Sequence, residues 1–446
     1  MKLKLLMVLF AISVVLRPGI GISENAVKSG PLQNLDMGAG ALDLGASLRL
    51  RYENLDQYNV RKYGTGVEDS VLLGRIRLDV RYRLNGEISF FLQGQDARFW
   101  LSDDIHNREF PKSSPYYNDF DLRQAYMEWH TIGNSPIGVK MGRQAISYGG
   151  NRIFGPGDWG NVGRYTWDAA KLLWESDVLD ADLIFGKRVL YLWDQFDDAH
   201  YDDEVLAVYA RIKSFRPYTH DIFFIRKQNS DKHAAIGESG IGDLLVQSIG
   251  YQGKGGFHQI DYTVGGVYQF GDFGEDHVSA FGINTEVGVT FPHLLNPRIK
   301  VGLVYGSGDN DPNDGEHNTF DGVFGAVDKY YGRMNLFAWM NLVDWYAGVS
   351  ASPVKGMSIC FDTHWLQLAE KRDAWYFSNG KTMRRDESGS SGNRLGVEMD
   401  LVSKYRVNSF MEIMVGGGIF LPNTFIEETG TSETARWIFT QVELRI

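Results

Sequence analysis

A strict alternation between Gly74 and Leu84 constrains the fold of this chain more than any other feature. One set of alternate positions is apolar: Ile76, Leu78, Val80, Tyr82 and Leu84. The other set is charged: Arg75, Arg77, Asp79, Arg81 and Arg83. Successive side chains of a β-strand point to opposite faces, so one face would be wholly apolar and the other wholly charged. Such a strand suits the wall of a membrane barrel, which meets lipid outside and water inside.

The same alternation recurs along the chain, and it predicts the fold class. Leu48, Leu50 and Tyr52 alternate with Arg49, Arg51 and Glu53, and the chain ends on an amphipathic strand at 438–446. There are about 19 candidate strands, of which 331–341 is the weakest, and an even number is expected. We therefore predict an all-β fold, a single transmembrane antiparallel β-barrel of about 18 strands.

The connections between these strands are alternately short and long. Asn85-Gly86 is a strong signal for a two-residue hairpin, and Lys254 to Gly256 and Lys355-Gly356 also predict tight turns. The long polar segments are 55–71, 99–119, 148–166, 189–202, 228–241, 307–330 and 371–392. This pattern predicts short periplasmic turns and long extracellular loops. The segments 148–166 and 307–330 are the candidates for a loop that folds into the lumen.

The N-terminus indicates export from the cytoplasm. Lys2 and Lys4 precede an apolar run from Leu5 to Leu16, and small residues follow near Ser23. We expect a signal peptide over 1–26 with cleavage near 23–26, and a barrel domain over 27–446 in the bacterial outer membrane. The chain has 51 Gly, 22 Tyr and 26 Phe with no linker-like segment, which also favours one large barrel.

Composition and motifs exclude several other classes of protein. The net charge of −11 argues against a nucleic-acid partner. The chain has no H-E-x-x-H, no G-x-S-x-G and no P-loop, so we expect neither an enzyme nor a cofactor or metal site. A barrel enzyme of the outer membrane that uses His364, or an adhesive barrel, would be the rivals from other classes. Cys360 is the single cysteine, so no internal disulfide is expected.

Three spaced motifs give the chain a family resemblance. The first includes Gly142, Arg143, Gln144, Tyr148, Gly149, Arg152, Trp159, Asn161, Gly163, Arg164 and Asp168. The second includes Gly306, Ser307, Gly308, Asp309, Asp314, Thr319, Phe320, Lys329, Tyr330, Tyr331 and Gly332, and the third is the run 122–128. Together they resemble the alginate-export family of outer-membrane porins from about Leu42 to the end of the chain.

The resemblance implies an 18-stranded barrel with an electropositive constriction through which an anionic polyuronate leaves the periplasm. The residues support the same chemistry, because guanidinium groups stay charged and bind carboxylates in a bidentate way. The leading hypothesis is thus a passive export channel for an anionic glycan, in contact with lipid and lipopolysaccharide and served by periplasmic partners. The alternative is a porin that takes up small solutes.

The candidate site residues fall into several groups, and some groups have two interpretations. Arg75, Arg77 and Arg81 either line the pathway or brace the wall. The motif arginines are expected in the pathway: Arg143, Arg152 and Arg164. Further candidates for the lining are Arg49, Arg51, Arg123 and Trp159. We expect Asp79, Asp158 and Asp168 to orient these arginines. The other tryptophans either stack on sugar rings or, as we expect, form girdles at the membrane interfaces: Trp100, Trp129, Trp193, Trp339 and Trp437.

Overall fold

A computed structural model describes residues 32–60, 68–84, 86–102, 114–214, 218–292, 294–311, 313–377 and 380–446. Within these residues the chain forms one closed antiparallel β-barrel of 18 strands, as the sequence predicts. The expected signal peptide, 1–26, and Asn85 of the predicted hairpin turn lie outside the described residues. The weak candidate strand 331–341 is not a strand, which is why the count is 18.

The barrel strands follow one another in chain order. They are β1 (Gly40–Asp56), β2 (Glu68–Leu84), β3 (Ile88–Trp100), β4 (Asn118–Trp129), β5 (Ile137–Gln144), β6 (Trp167–Glu175), β7 (Leu179–Leu190), β8 (Asp198–Ile212), β9 (Thr219–Asn229), β10 (Leu244–Phe257), β11 (Ile260–Phe273), β12 (Asp276–Thr290), β13 (Arg298–Gly306), β14 (Leu342–Ala351), β15 (Met357–Gln367), β16 (Arg394–Arg406), β17 (Met411–Pro422) and β18 (Ala435–Arg445). Each pairs with its neighbours in sequence.

The barrel closes between its first and last strands. β1 pairs with β18 from Ser47 opposite Arg445 to Asp56 opposite Arg436, and it pairs with β2 on its other side. Ile446 and Ala46 exchange backbone hydrogen bonds of 3.0 and 3.1 Å at the end of this seam. Closure matters because an open sheet edge within a bilayer would leave backbone groups without hydrogen-bond partners.

The two faces of the wall differ in polarity as the alternation predicts. Leu78 is 48% exposed on the outward face of β2, and similar exposed apolar side chains continue around the barrel, among them Phe185, Ile249 and Trp365. On the inward face Arg49 and Arg75 are only 3% and 5% exposed. An exposed apolar band of this extent belongs in lipid, so the barrel spans a membrane.

The two ends of the barrel carry connections of different lengths. At one end the strands are joined by short turns, such as 176–178, 258–259 and 352–356. At the other end lie the long loops, including 145–166, 307–341 and 368–393, with Gly274-Glu275 as a short exception. The long-loop end is the extracellular end in barrels of this type.

In the part of the chain that the structure describes, regular structure outside the barrel strands is short. The connections contain one α-helix, α1 (Thr424–Thr429), and three single-turn 3-10 helices, Tyr58–Val60, Ile132–Asn134 and Gly149–Asn151. They also contain two small hairpins, Ala235–Ile236 with Ile241–Gly242 and Ala374–Tyr376 with Thr382–Arg385, and the strand Glu316–His317, which pairs in parallel with β12. Leu35–Asp36 pairs with the start of β1. Among the described residues, no helix is long and apolar enough to cross a membrane.

Candidate functional site

Both candidate loops enter the lumen, and they join each other there. Phe154 of the 145–166 loop forms a parallel bridge with Phe324 of the 307–341 loop. The Gly155 N–H donates to the Phe324 carbonyl at 2.9 Å, and the Ala326 N–H donates to the Asn151 carbonyl at 2.8 Å. We call the described residues of 145–166 and 307–341 the lumenal bridge. It narrows the barrel from within.

An aromatic cluster forms the centre of the lumenal bridge. The rings of Phe154 and Phe324 lie 5.3 Å apart between centroids, and Trp167 of β6 lies 4.7 Å from Phe324. Close approach of the two loops requires a glycine at 155, because an added Cβ would lie 2.5 Å from the Asn151 oxygen and 2.6 Å from the Ala326 nitrogen. The centre of the lumenal bridge is therefore apolar and tightly packed within a polar lumen.

Arginines of β1 and β2 hold one side of the lumenal bridge against the wall. Arg49 donates to the carbonyls of Asp158 and Gly160, each at 2.8 Å. Arg75 donates to the same two carbonyls at 3.0 and 3.2 Å. Arg51 donates to the Trp159 carbonyl at 2.7 Å. These three arginines lie on the inward face of the wall, and their hydrogen bonds hold the inward loop against it.

Asp158 lies where further arginines converge. Its carboxylate is 3.1 Å from Arg77 Nη1 and 3.3 Å from Arg123 Nη2, and 58% of its side chain remains exposed. Burial raises the pKa of Asp158, but the charges of Arg123, Arg77 and Arg75 outweigh it and hold the pKa below its ordinary value. The carboxylate is therefore a permanent counter-charge to this group of arginines.

Two further residues of β2, Asp79 and Arg81, lie nearer the short-turn end of the barrel, away from the lumenal bridge. The Arg81 guanidinium lies 4.9 Å from the centre of the Phe91 ring. Asp79 accepts a hydrogen bond of 2.8 Å from Gln93 Nε2. Gln93 also accepts from Arg123 at 2.9 Å, so this acid is tied to the arginines through an amide.

The arginines of the 145–166 loop lie against aromatic rings. Arg152 stacks on Tyr330 at 4.3 Å, and Arg164 lies 5.0 Å from the Tyr165 ring. The Arg51 guanidinium lies over the Trp159 ring, 4.2 Å from its centre. Burial raises the pKa of Tyr165, yet the nearby cations Arg164, Lys227 and Arg188 lower it below the ordinary value. The loop thus carries cations and aromatic rings side by side inside the lumen.

Arg143 and Asp168 lie on the outward face of the wall. Arg143 was expected to line the channel, and the structure corrects this expectation. The two residues face each other across β5 and β6 and form two hydrogen bonds of 2.8 and 2.9 Å. Met141 and Leu172, at alternate positions of the same strands, are exposed to lipid. Because alternate residues share a face, Arg143 follows this outward row. Asp168 does orient Arg143, but outside the lumen.

The tryptophans divide between the two sides of the wall. Trp100 is exposed on the outward face, where a girdle is expected. Trp339 and Trp437 are buried inside the barrel instead, which corrects the girdle assignment for these two. Trp437 lies 6.1 Å from Trp159, and Trp339 donates a hydrogen bond of 2.7 Å to the Tyr305 carbonyl. Both stabilise the lumenal bridge, a role that depends on long-range contacts.

Several residues that anchor the other sides of the lumenal bridge were not predicted. Lys227 of β9 pairs with Asp321 at 2.5 Å. Glu398 and Asp400 of β16 accept the backbone N–H groups of Met334 at 2.9 Å and Arg333 at 3.1 Å. Their inward position in the alternation was visible in the sequence, but the loop segment that they bind was not.

An internal cavity of about 1450 Å³ lies beside the lumenal bridge. Its lining carries aromatic rings, among them Trp159, Tyr165, Tyr331 and Trp437. It also carries basic and acidic side chains in equal numbers: Arg51, Arg164, Arg188, Lys227, Arg333, Lys381 and Arg385 against Glu53, Glu238, Asp276, Asp309, Asp321, Asp328 and Glu387. A cavity of this kind can contact both the ring faces and the charged groups of a sugar acid.

The described residues contain no group of three or more His, Cys, Asp or Glu side chains arranged to hold a metal ion. His364 hydrogen-bonds Asp344 at 2.8 Å within the wall of β14 and β15, where both side chains are buried. The histidine is therefore part of the inner wall rather than of a lipid-facing site.

A family model for alginate export matches residues 41–439 of the chain. The match covers most of the sequence, and the chain therefore belongs to the alginate export family. No curated protein matches it.

Solved porin structures from Pseudomonas aeruginosa share the fold. OpdK with vanillate is 10% identical with a TM-score of 0.59, and it covers 91% of this chain and 98% of its own. OccK2 (OpdF) in complex with glucuronate is 13% identical with a TM-score of 0.58 and the same coverage. OpdQ is 11% identical with a TM-score of 0.59, again with the same coverage. These likenesses show an outer-membrane porin fold.

Proposed function

We propose that this barrel is a passive channel for carboxylate-bearing sugars in the outer membrane, and that its cargo is an anionic glycan of the polyuronate type moving outward. The observation that carries the proposal is the set of arginines beside aromatic rings in the lumen: Arg51 with Trp159, Arg152 with Tyr330 and Arg164 with Tyr165. Guanidinium groups bind carboxylates, and aromatic faces contact the apolar faces of sugar rings.

The chemistry of passage favours many weak contacts. A polymer with one carboxylate per sugar would exchange one arginine for the next, and a single tight site would trap it. The acids of the cavity lining keep the lining from binding the cargo too strongly. Membership in the alginate export family supports the same cargo class. On this account the protein contributes binding and orientation only, without cofactor or chemical step, and periplasmic partners would deliver the cargo.

Uptake of small solutes is the second candidate, and specific observations favour it. The lumenal bridge joins two loops inside the barrel and so limits the free cross-section. The balanced charge of the cavity lining also suits small solutes of either sign. Two of the structural neighbours were solved with small carboxylates, vanillate and glucuronate.

A planar-bilayer measurement tests the proposal. The zero-current potential across a salt gradient should show anion preference, and oligouronates added to one side should block the current while neutral oligosaccharides do not. Arg164→Gln should weaken both effects. The matched control is Arg226→Gln, because Arg226 lies on the outward face of β9 beside the inward Lys227. Cation preference, or equal block by neutral sugars, would contradict the proposal.

A further inference from the structure

Asn161 connects the lumenal bridge to the barrel wall in a way that the arginines do not. Its side chain lies in a site where only 1% of the residue is exposed. The amide nitrogen donates toward three backbone carbonyls, those of Gly74 at 3.2 Å, Arg98 at 2.9 Å and Tyr116 at 2.8 Å. One loop side chain thus reaches β2, β3 and the segment before β4.

The direction of these bonds distinguishes Asn161 from its surroundings. Arg49 and Arg75 are wall side chains that donate to the loop backbone, and they duplicate each other at the Asp158 and Gly160 carbonyls. Asn161 is a loop side chain that donates to the wall backbone. A buried carbonyl that loses its hydrogen-bond donor costs free energy, so replacing Asn161 should destabilise both the wall and the loop.

The neighbouring contacts press the same segment flat against the wall. Val162 is fully buried and forms an apolar cluster with Ala97 and Tyr191. Gln95 of β3 donates to the Val162 carbonyl at 2.8 Å. The segment 157–164 also lines the internal cavity through Gly157, Trp159 and Arg164, so its position limits the open space in the lumen.

We propose that Asn161 is the positioning residue that keeps the lumen open and keeps Arg49 and Arg75 covered. With the amide in place, the segment 157–162 stays seated on the wall and the adjoining cavity stays free for solute. Without the amide, the segment moves into the lumen, obstructs it intermittently and uncovers the two guanidinium groups. This inference rests on the proposed channel function and names the residue that fixes its open cross-section.

Single-channel recording of Asn161→Ala and Asn161→Asp tests the proposal. Both variants lose the amide donors, while the second keeps the size of the side chain. We expect frequent brief closures, more frequent by about tenfold, as the loss of one net hydrogen bond predicts, and a lower mean current. Asn161→Ser, which keeps one donor, should fall between them and the unmodified protein. Asn161→Ser alone still tests the proposal if the other two variants do not assemble.

Asn284→Ala is the matched control. Asn284 is equally buried on the inner wall, where it accepts a hydrogen bond of 3.0 Å from Gln252, on the opposite side from Asn161. Steady open currents in both Asn161→Ala and Asn161→Asp, with the barrel assembled, would overturn the inference. If the unmodified channel shows no preference for uronates, the proposed cargo fails, but the comparison of closure frequencies still decides the role of Asn161.

Discussion

Arg49 and Arg75 lie directly opposite each other on β1 and β2, and both donate hydrogen bonds to the carbonyl oxygens of Asp158 and Gly160. Two buried cations thus share two neutral acceptors. The two like charges repel each other at this distance. The carbonyl dipoles and the nearby carboxylate of Asp158 offset this repulsion. The inward loop and the charged wall therefore stabilise each other.

The shared acceptors predict that the two arginines are partly redundant. Arg75→Met should lower the free energy of local opening of the segment 157–162 by only about 1 kcal/mol, because Arg49 still donates hydrogen bonds to both carbonyls. The double replacement of Arg49 and Arg75 should cost more than the two single effects added together. Amide hydrogen exchange of 157–162 in micelles measures this. Arg83→Met, far from the loop beside Asp43, is the control. Additive effects would show that the two arginines act independently.

Asp158 predicts a selectivity change that is independent of pH near neutrality. Its lowered pKa keeps the carboxylate ionised, and its stabilising contribution is lost only as the pH falls through this low value. Asp158→Asn should therefore increase anion preference by a similar amount from about pH 5 to pH 8, above the ordinary Asp pKa of about 4. Zero-current potentials of both proteins measure this. Asp119→Asn, beside the outward Arg98, should have no effect.

Asp309 predicts the opposite kind of pH dependence. Burial, with repulsion from Asp373 and Asp314, raises its pKa to about 6. The folded protein therefore takes up a proton here as the pH falls through about 6, and this group stabilises the fold less as the pH rises from about 4 to 6. Glu238, which lines the same cavity, also takes up a proton in this range, because burial and the charge of Asp309 raise its pKa to about 7. The cavity therefore loses negative charge on acidification, so anion preference should rise between pH 7 and pH 5.

Replacement of Asp309 separates this group from other titrations. Asp309→Asn should remove the part of that rise that Asp309 supplies, and Asp309→Asn combined with Glu238→Gln should remove most of it. Asp231→Asn, on an exposed loop, should leave the pH dependence unchanged. The same rise in the Asp309→Asn variant would assign the titration to another group.

The outward face predicts a cost of insertion at Leu78. An arginine near the middle of the bilayer costs about 2–4 kcal/mol, so Leu78→Arg should hinder assembly in the membrane. Ser47→Arg is the control, because Ser47 lies opposite Arg77 on the inward face at a similar depth. Folding titrations in lipid vesicles compare the two variants. Equal folding efficiencies would contradict the assignment of Leu78 to the lipid face, and a larger loss for Ser47→Arg would mean that the two faces are reversed.

The barrel could be predicted from the sequence because its signal is local. Alternation between Gly74 and Leu84 assigns each side chain to a face without knowledge of any distant contact. The same rule places Arg143 on the outside, since Ile137 and Met141 precede it on alternate positions of β5. The family motif predicts a place in the pathway for Arg143, and this prediction is wrong because the residue follows the outward row of β5.

The lumenal bridge could not be predicted in the same way. Arg49 and Asp158 are more than a hundred residues apart, and Phe154 and Phe324 are farther still. No periodicity links such positions, so the sequence suggested which loops turn inward but not where they are held. The roles of Asn161, Glu398 and Asp400 follow from those long-range contacts alone.

The most direct test of the central claim is the duration of current blockades by single oligouronate chains as the voltage rises. A chain that passes through the barrel is pulled out faster at higher voltage, so the account predicts that blockades shorten, and that longer chains give longer events. Blockades that lengthen with voltage would mean that the chain is held at the mouth without passing. That result would contradict a polyuronate channel and would favour a porin for small solutes.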